Sequence, residues 1–256
     1  MAHILVKEDG DTVRITMNRP ARRNSLSHEH LAELLAAFEE AGESAATGIV
    51  LAGEGPVFSA GHDFGDVAAR DLSGVRELLR LCTSLMNTIQ SVPQVVVARV
   101  HGLATAAGCQ LVASCDLAVA ASSAGFALPG GKGGWFCHTP SVAVARNVGR
   151  KRALEMALSG DVVDAHTAAD WGLVNRVVPD EQLDSAVQDL LERVTRGSAE
   201  SKGLGKQAFY AQVDLDQPKA YAYAIEVMAA ASQTPDAVEG MDAFLGKRKP
   251  RWRRGR

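Results

Sequence analysis

Apolar residues at alternate positions, Ile4/Val6 and Val13/Ile15/Met17, flank an Asp9-Gly10 turn signal and predict a β-hairpin over 3–18. Arg19-Pro20 breaks the second strand, and Ala21 to Ser25 reads as a polar loop. Ser27 then suits the N-cap of a helix reaching about Ala45, with Leu31, Leu34, Leu35 and Phe38 on one face. The run GIVLA at 48–52 predicts a buried strand, followed by the long loop GEGPVFSAGHDFGD. Helical spacing returns at 66–71 and 74–90, the second carrying Val75, Leu78, Leu79, Leu85 and Met86 and stopped by Pro93. Val95 to Val100 predicts another buried strand, the small-residue stretch after it a helix, and Asp116 to Ala121 a further strand. GGKGG at 130–134 is a flexible turn. Beyond 138 the pattern is mostly helical, at 141–158, 181–196, 217–232 and 235–246, with one short strand at Asn175 to Val178. Strands with crossover helices, then a helix-rich last third, predict an α/β layered core.

Composition narrows the classes. The 256 residues are 46% hydrophobic and 22% charged, with a formal net charge of −3. This gives no electrostatic reason to expect nucleic acid or an anionic membrane as partner. One basic run, Lys247 to Arg254, ends the chain and reads either as a solvated terminus or as a phosphate-binding end. The four cysteines show no C-x-x-C spacing, which points to buried free thiols rather than zinc or disulfides. No pair of histidines has the spacing of a helical metal site, so no metal is expected. The N-terminus lacks the apolar core of a signal peptide, and the apolar region 95–121 is interrupted by Arg99, His101, Gln110 and Asp116. The expectation is a cytoplasmic protein that does not span a membrane.

Several chemistries fail on spacing. GGKGG and Gly203-Leu204-Gly205-Lys206-Gln207 do not match a P-loop, and no G-x-G-x-x-G opens a helix. Ser59 lacks the first glycine of a nucleophile elbow. What remains is a pair of small-residue segments, VFSAGHDF (57–64) and GLATAAGCQLVASCD (102–116). The first amides of a helix are unpaired and sit at its positive end. Two such N–H groups meeting at one oxygen would form an oxyanion hole, although close-packed glycine loops account for the same residues.

These pieces, together with TMNRPARRNSL (16–26), FALPGGKGG (126–134), RALEMALSGDVVDAHTAADWGLVNRVVP (152–179) and EGMDAFLGKRKPRW (239–252), resemble the crotonase (enoyl-CoA hydratase/isomerase) superfamily over nearly the whole chain. The resemblance implies a spiral of ββα turns over 1–195 and a C-terminal helical oligomerisation region over 196–256. It implies a homo-oligomer, trimer or hexamer, and an acyl-CoA thioester as ligand, with coenzyme A as part of the substrate and no further cofactor. Carried over, the backbone N–H groups of His62 and Ala107 would hold the enolate oxygen. Arg22, Arg23, Ala60, Asp63, Phe64, Phe244 and Lys247 would contact the coenzyme A moiety.

Two positions depart from the family. Its hydratases use two glutamates, and this chain has Gln110 and Gly130 there. Neither can act as a carboxylate base, so efficient hydration by that route is not expected. His138, eight residues past Gly130, becomes the leading acid/base candidate, ahead of the His62 side chain, Cys137 and Asp63. Asp116 reads as structural. The pattern most resembles a subgroup called enoyl-CoA hydratase domain-containing proteins. Two readings stay open: an enzyme working through a thioester enolate, and a protein that binds acyl-CoA without turning it over.

Overall fold

The computed structural model describes residues 3–253. The chain opens with the antiparallel hairpin β1 (Ile4–Asp9) and β2 (Thr12–Met17). A 3-10 turn over Pro20–Arg22 leads into α1 (His28–Glu43), whose Ser27 side chain accepts a hydrogen bond from the His30 amide as the sequence predicts. Then come β3 (Gly48–Gly53), β4 (Val57–Ser59), α2 (Phe64–Ala68) and α3 (Leu72–Ser91). The same strand, strand, helix order repeats as β5 (Val95–Val100), β6 (Leu103–Thr105) and α4 (Ala107–Ser114). It repeats again as β7 (Leu117–Ala121), β8 (Gly125–Ala127), α5 (His138–Val148) and α6 (Arg150–Ser159). The chain continues through β9 (Val163–Asp164), α7 (Ala165–Asp170), β10 (Arg176–Val178) and α8 (Leu183–Thr195). It closes with α9 (Ala199–Gln212), α10 (Gln217–Ala231) and α11 (Pro235–Leu245).

Each repeat puts one strand in each of two sheets. The six-stranded sheet runs β1-β2-β3-β5-β7-β10 and is parallel apart from the first hairpin. The four-stranded sheet runs β4-β6-β8-β9, with β9 antiparallel. This is the crotonase-like ββα spiral that the resemblance implies. The larger sheet is covered on both faces, which explains its unbroken apolar runs. Ile49, Leu51, Val96 and Ala98 face the main core beneath α1 and α3. Val50, Val97 and Val119 alternate with them and pack under Leu183, Val187, Leu190 and Leu191 of α8.

Three sequence expectations need correction. The single helix over 141–158 is two helices, because Gly149 sits at φ 81°, ψ 167°, a conformation open essentially to glycine. The helix placed at 66–71 ends at Ala68, and Leu72 begins the next. Residues 199–212, left without an element, form α9. That helix is held to the sheet by charge: Lys206 Nζ donates to the Ile89 and Gln94 carbonyls and pairs with Asp116 at 2.8 Å. Asp116 also accepts from the Val96 amide and from Tyr210 Oη. The structural reading of Asp116 holds. All four cysteines are free and buried.

Candidate active site

Asn24 organises the floor of the site. It is fully buried, and its Nδ2 lies within hydrogen-bond distance of the carbonyls of Glu54, Val57 and Phe58. Its Oδ1 accepts from the Arg19 amide, and its own carbonyl accepts from Ser59 Oγ. Arg23 and Asn24 both adopt left-handed φ values, 52° and 50°, which turn this loop under β4. Further along, the Ala60 amide donates to Arg23, Leu26 to Gly61, and Asp63 to Leu26. Residues 59–63 are therefore strapped to 23–26 along both edges.

This strap lies against the N-terminus of α4. Gly61 has φ 81°, and a Cβ there would stand 3.1 Å from the Ala107 amide nitrogen and 2.9 Å from the Thr105 oxygen. A Cβ on Gly108 would stand 2.4 Å from the Ser59 oxygen, so only glycine permits this approach. Between them Ala106 holds φ 49°, ψ −118°, far from the regions that L-residues populate, at a typical cost of ~1–3 kcal/mol. Its amide donates to Ala127 of β8, which fixes the turn. Among the described residues, the backbone N–H groups of His62 and Ala107 have no acceptor.

The same two segments carry buried side-chain atoms without partners. Both ring nitrogens of His62 are buried without a hydrogen-bond partner, and so is Gln110 Oε1, one turn along α4. Burial pushes the His62 pKa below its ordinary value; the nearby Leu26 carbonyl and Asp66 oppose this only in part. The Leu26 carbonyl reaches toward the ring without making a hydrogen bond of ordinary geometry. The His62 ring packs against Trp135 at 6.0 Å, and Phe64, itself exposed, meets Trp135 at 6.1 Å.

The remaining predicted residues divide. Gly130 lies under the Trp135–Cys137 segment, its amide donating to Cys137 Sγ. His138 begins α5 on the surface, its ring 5.1 Å from Phe136, and no described contact joins it to His62, Ala107 or Gln110. Asp63 caps α2, accepting from Gly65, and takes a bond from Ser25 Oγ. Burial acts to raise its pKa, but these bonds, the Asp66 amide and Arg19 hold it below the ordinary value. Arg22 and Arg23 are exposed, and their side chains make no hydrogen bond or ion pair among the described residues. Ala60 is exposed beside them. Phe244 and Lys247 sit exposed at the end of α11, with no described contact to this cluster; Arg254 of the basic run lies outside the described residues. Sequence reasoning missed Asn24, although the NRPARRNS segment that contains it was recognised. Of two open grooves, the one along α3 contains none of these residues, and the one between α9, α11 and Trp252 is lined by Phe244 alone among them.

A family model for enoyl-CoA hydratase/isomerase matches residues 8–255. The chain belongs to that family. Enoyl-CoA hydratase domain-containing protein 3, mitochondrial, from Mus musculus is 42% identical over 242 residues, covering 93% of this chain and 80% of the relative. A crystal structure of an enoyl-CoA hydratase from Mycobacterium smegmatis superposes with a TM-score of 0.95 at 44% identity, covering 98% of this chain and 99% of that one. The human enoyl-CoA hydratase domain-containing protein 3 structure gives 0.94 at 38%, covering 98% and 100%. The crotonase-like fold and an acyl-CoA-processing role of this family are thereby established. The expected cytoplasmic location is corrected: the mouse relative and its rat, Xenopus laevis, zebrafish and human counterparts are named mitochondrial. Buried free thiols and an N-terminus without the apolar core of a signal peptide do not distinguish one reducing compartment from another. No helix among the described residues is long and apolar enough to cross a membrane.

Proposed function

We propose that this protein binds an acyl-CoA thioester and stabilises its enolate between the backbone amides of His62 and Ala107. The carrying observation is that these two unpaired N–H groups belong to segments pressed together at Gly61 and Ala107, beside the strained Ala106. Donors fixed before the reaction stabilise charge that develops on the thioester oxygen more than they stabilise the neutral carbonyl.

The proton moves through the His62 imidazole in this reading. A C–H bond α to the thioester breaks, its proton passes to the unprotonated ring nitrogen, and the electron pair settles on the thioester oxygen. Replacement of the ring proton by one from solvent, followed by reprotonation of the same carbon, gives exchange; delivery to a conjugated carbon gives an isomer. His62 is favoured over His138 because its ring nitrogens are buried and unpaired in the segment that packs against the start of α4, whereas His138 lies on the surface against Phe136. Gln110 Oε1 is left to accept a bond from the ligand. Hydration through two carboxylates has no support, since Gln110 and Gly130 stand at those positions. That same observation favours a second reading, acyl-CoA binding without turnover.

The unpaired guanidinium groups of Arg22 and Arg23 suit the coenzyme A phosphates. No further cofactor enters the scheme. Phe244 and Lys247 contact the ligand of a neighbouring subunit in this reading, in a homotrimer or hexamer built on the helices after 195.

Binding of a conjugated enoyl- or aryl-acyl-CoA tests the oxyanion hole without needing turnover. Two amides on the thioester oxygen polarise the conjugated system and shift its absorption to longer wavelength. Tight binding with an unshifted spectrum would remove the proposed role of His62 and Ala107.

A further inference from the structure

A second cluster of unpaired groups lies outside this site, where the start of β1 meets the first turns of α1. His3 Nδ1, Glu33 Oε1 and Glu29 Oε2 gather there: Nδ1 is 3.1 Å from the first oxygen and 3.8 Å from the second. One ligand atom from each of these three residues lies within 4.8 Å of the others. Their spacing brackets the ~3.3 Å separation of ligand atoms around a tetrahedral ion with bonds of about 2.0–2.1 Å. The Glu33 carboxylate is already oriented, because its Oε2 accepts from the His3 amide.

The imidazole of His3 makes this more than an acidic patch. His3 Nδ1 is buried and, despite its distance of 3.1 Å from Glu33, makes no hydrogen bond of acceptable geometry. A nitrogen and an oxygen that approach without pointing at each other are arranged as two ligands of a common ion would be. His30, fully buried, packs edge to face on His3 with ring centroids 6.0 Å apart. Its Nδ1 lies 3.0 Å from the Ser25 carbonyl, which can only accept, so Nδ1 carries the proton and Nε2 keeps its lone pair. That Nε2 is buried without a partner. That nitrogen is not among the three donors gathered at the cluster, so His30 bears on it by packing against His3.

We infer that His3, Glu29 and Glu33, backed by His30, form a binding site for a divalent transition metal, with Zn2+ the ion best matched to imidazole and carboxylate donors. The ion clasps the edge strand β1 to α1. Helical spacing of histidines could not reveal it, because the donors come from two elements and His28 and His30 stand only two apart.

The test uses the untagged full chain, stripped with chelator and titrated calorimetrically with Zn2+, with Mg2+ as the control. We expect one Zn2+ per chain, no competition from Mg2+, and a visible spectrum of tetrahedral type when Co2+ replaces Zn2+. His3→Ala and Glu33→Gln should each weaken Zn2+ binding by at least the ~10–100-fold that altering an outer-shell partner costs. Zn2+ should raise the melting temperature of the native chain and leave that of both variants unchanged. Absence of saturable binding overturns the inference. So does binding indifferent to both variants, or binding lost with His3→Ala but kept in Glu33→Gln, which would assign the ion to the N-terminal peptide alone.

Discussion

At the residue scale, a Cβ on Gly130 would stand 2.2 Å from the Trp135 oxygen and 2.8 Å from Cys137 Sγ. A glutamate cannot enter there unless the 130–137 segment moves. The double variant Gln110→Glu, Gly130→Glu should therefore lose about 1–3 kcal/mol of stability to overpacking and gain no hydration of a short trans-2-enoyl-CoA. Denaturant melts and loss of the conjugated absorbance read the two effects, and brisk hydration at undiminished stability would contradict the argument. His62 behaves differently. Burial favours its neutral ring, so the folded pKa lies below 6.5. A base works in its unprotonated form, so a rate carried by His62 rises with pH through a midpoint below 6.5 and is flat above it.

Among the elements, the Asp116–Lys206 pair ties α9 to the edge between β5 and β7. Side-chain exposures of 12% and 8% mean that removing one partner strands the other away from water. Lys206→Met should cost ~3–5 kcal/mol in urea unfolding; a loss under about 1 kcal/mol would show that α9 is held by packing alone. This helix also marks a limit of sequence reading. Gly203 is its only buried residue, while Leu204 and Phe209 face outward, so no apolar stripe announces it. The strands of the larger sheet were legible because each is a run of apolar residues ended by turn signals. Those of the smaller sheet were not: β4, β6 and β8 are three residues long and lie inside loops rich in small residues. The candidate site was legible in part. Its two backbone segments followed from small residues beside a helix start and from the family resemblance. The buried, unpaired state of the His62 ring arises from packing against Trp135, 73 positions along the chain, which no local pattern records.

For the whole molecule, the spiral explains how residues 62 and 107 meet: they follow the ends of β4 and β6, parallel neighbours in the smaller sheet, and Asn24 is bonded beneath β4. The C-terminal helices add a broad apolar surface, with Phe209, Tyr221, Ile225, Met228, Phe244 and Leu245 all more than half exposed. Sedimentation should find an assembly of three chains or a multiple of three, which Met228→Asp dissociates; a monomer at micromolar concentration would contradict the proposed assembly. The central claim, that an enolate forms here and His62 moves its proton, is met most directly by exchange of the α-hydrogens of a saturated acyl-CoA into D2O, followed against pH. His62→Ala removes the ring and keeps the backbone amide. The account predicts exchange by the native chain with a midpoint below pH 6.5, and a fall of about 10²–10⁴ in the variant with acyl-CoA binding retained. No exchange by a native chain that binds the thioester would favour the binding-only reading, and full exchange by the variant would remove His62 as the proton carrier.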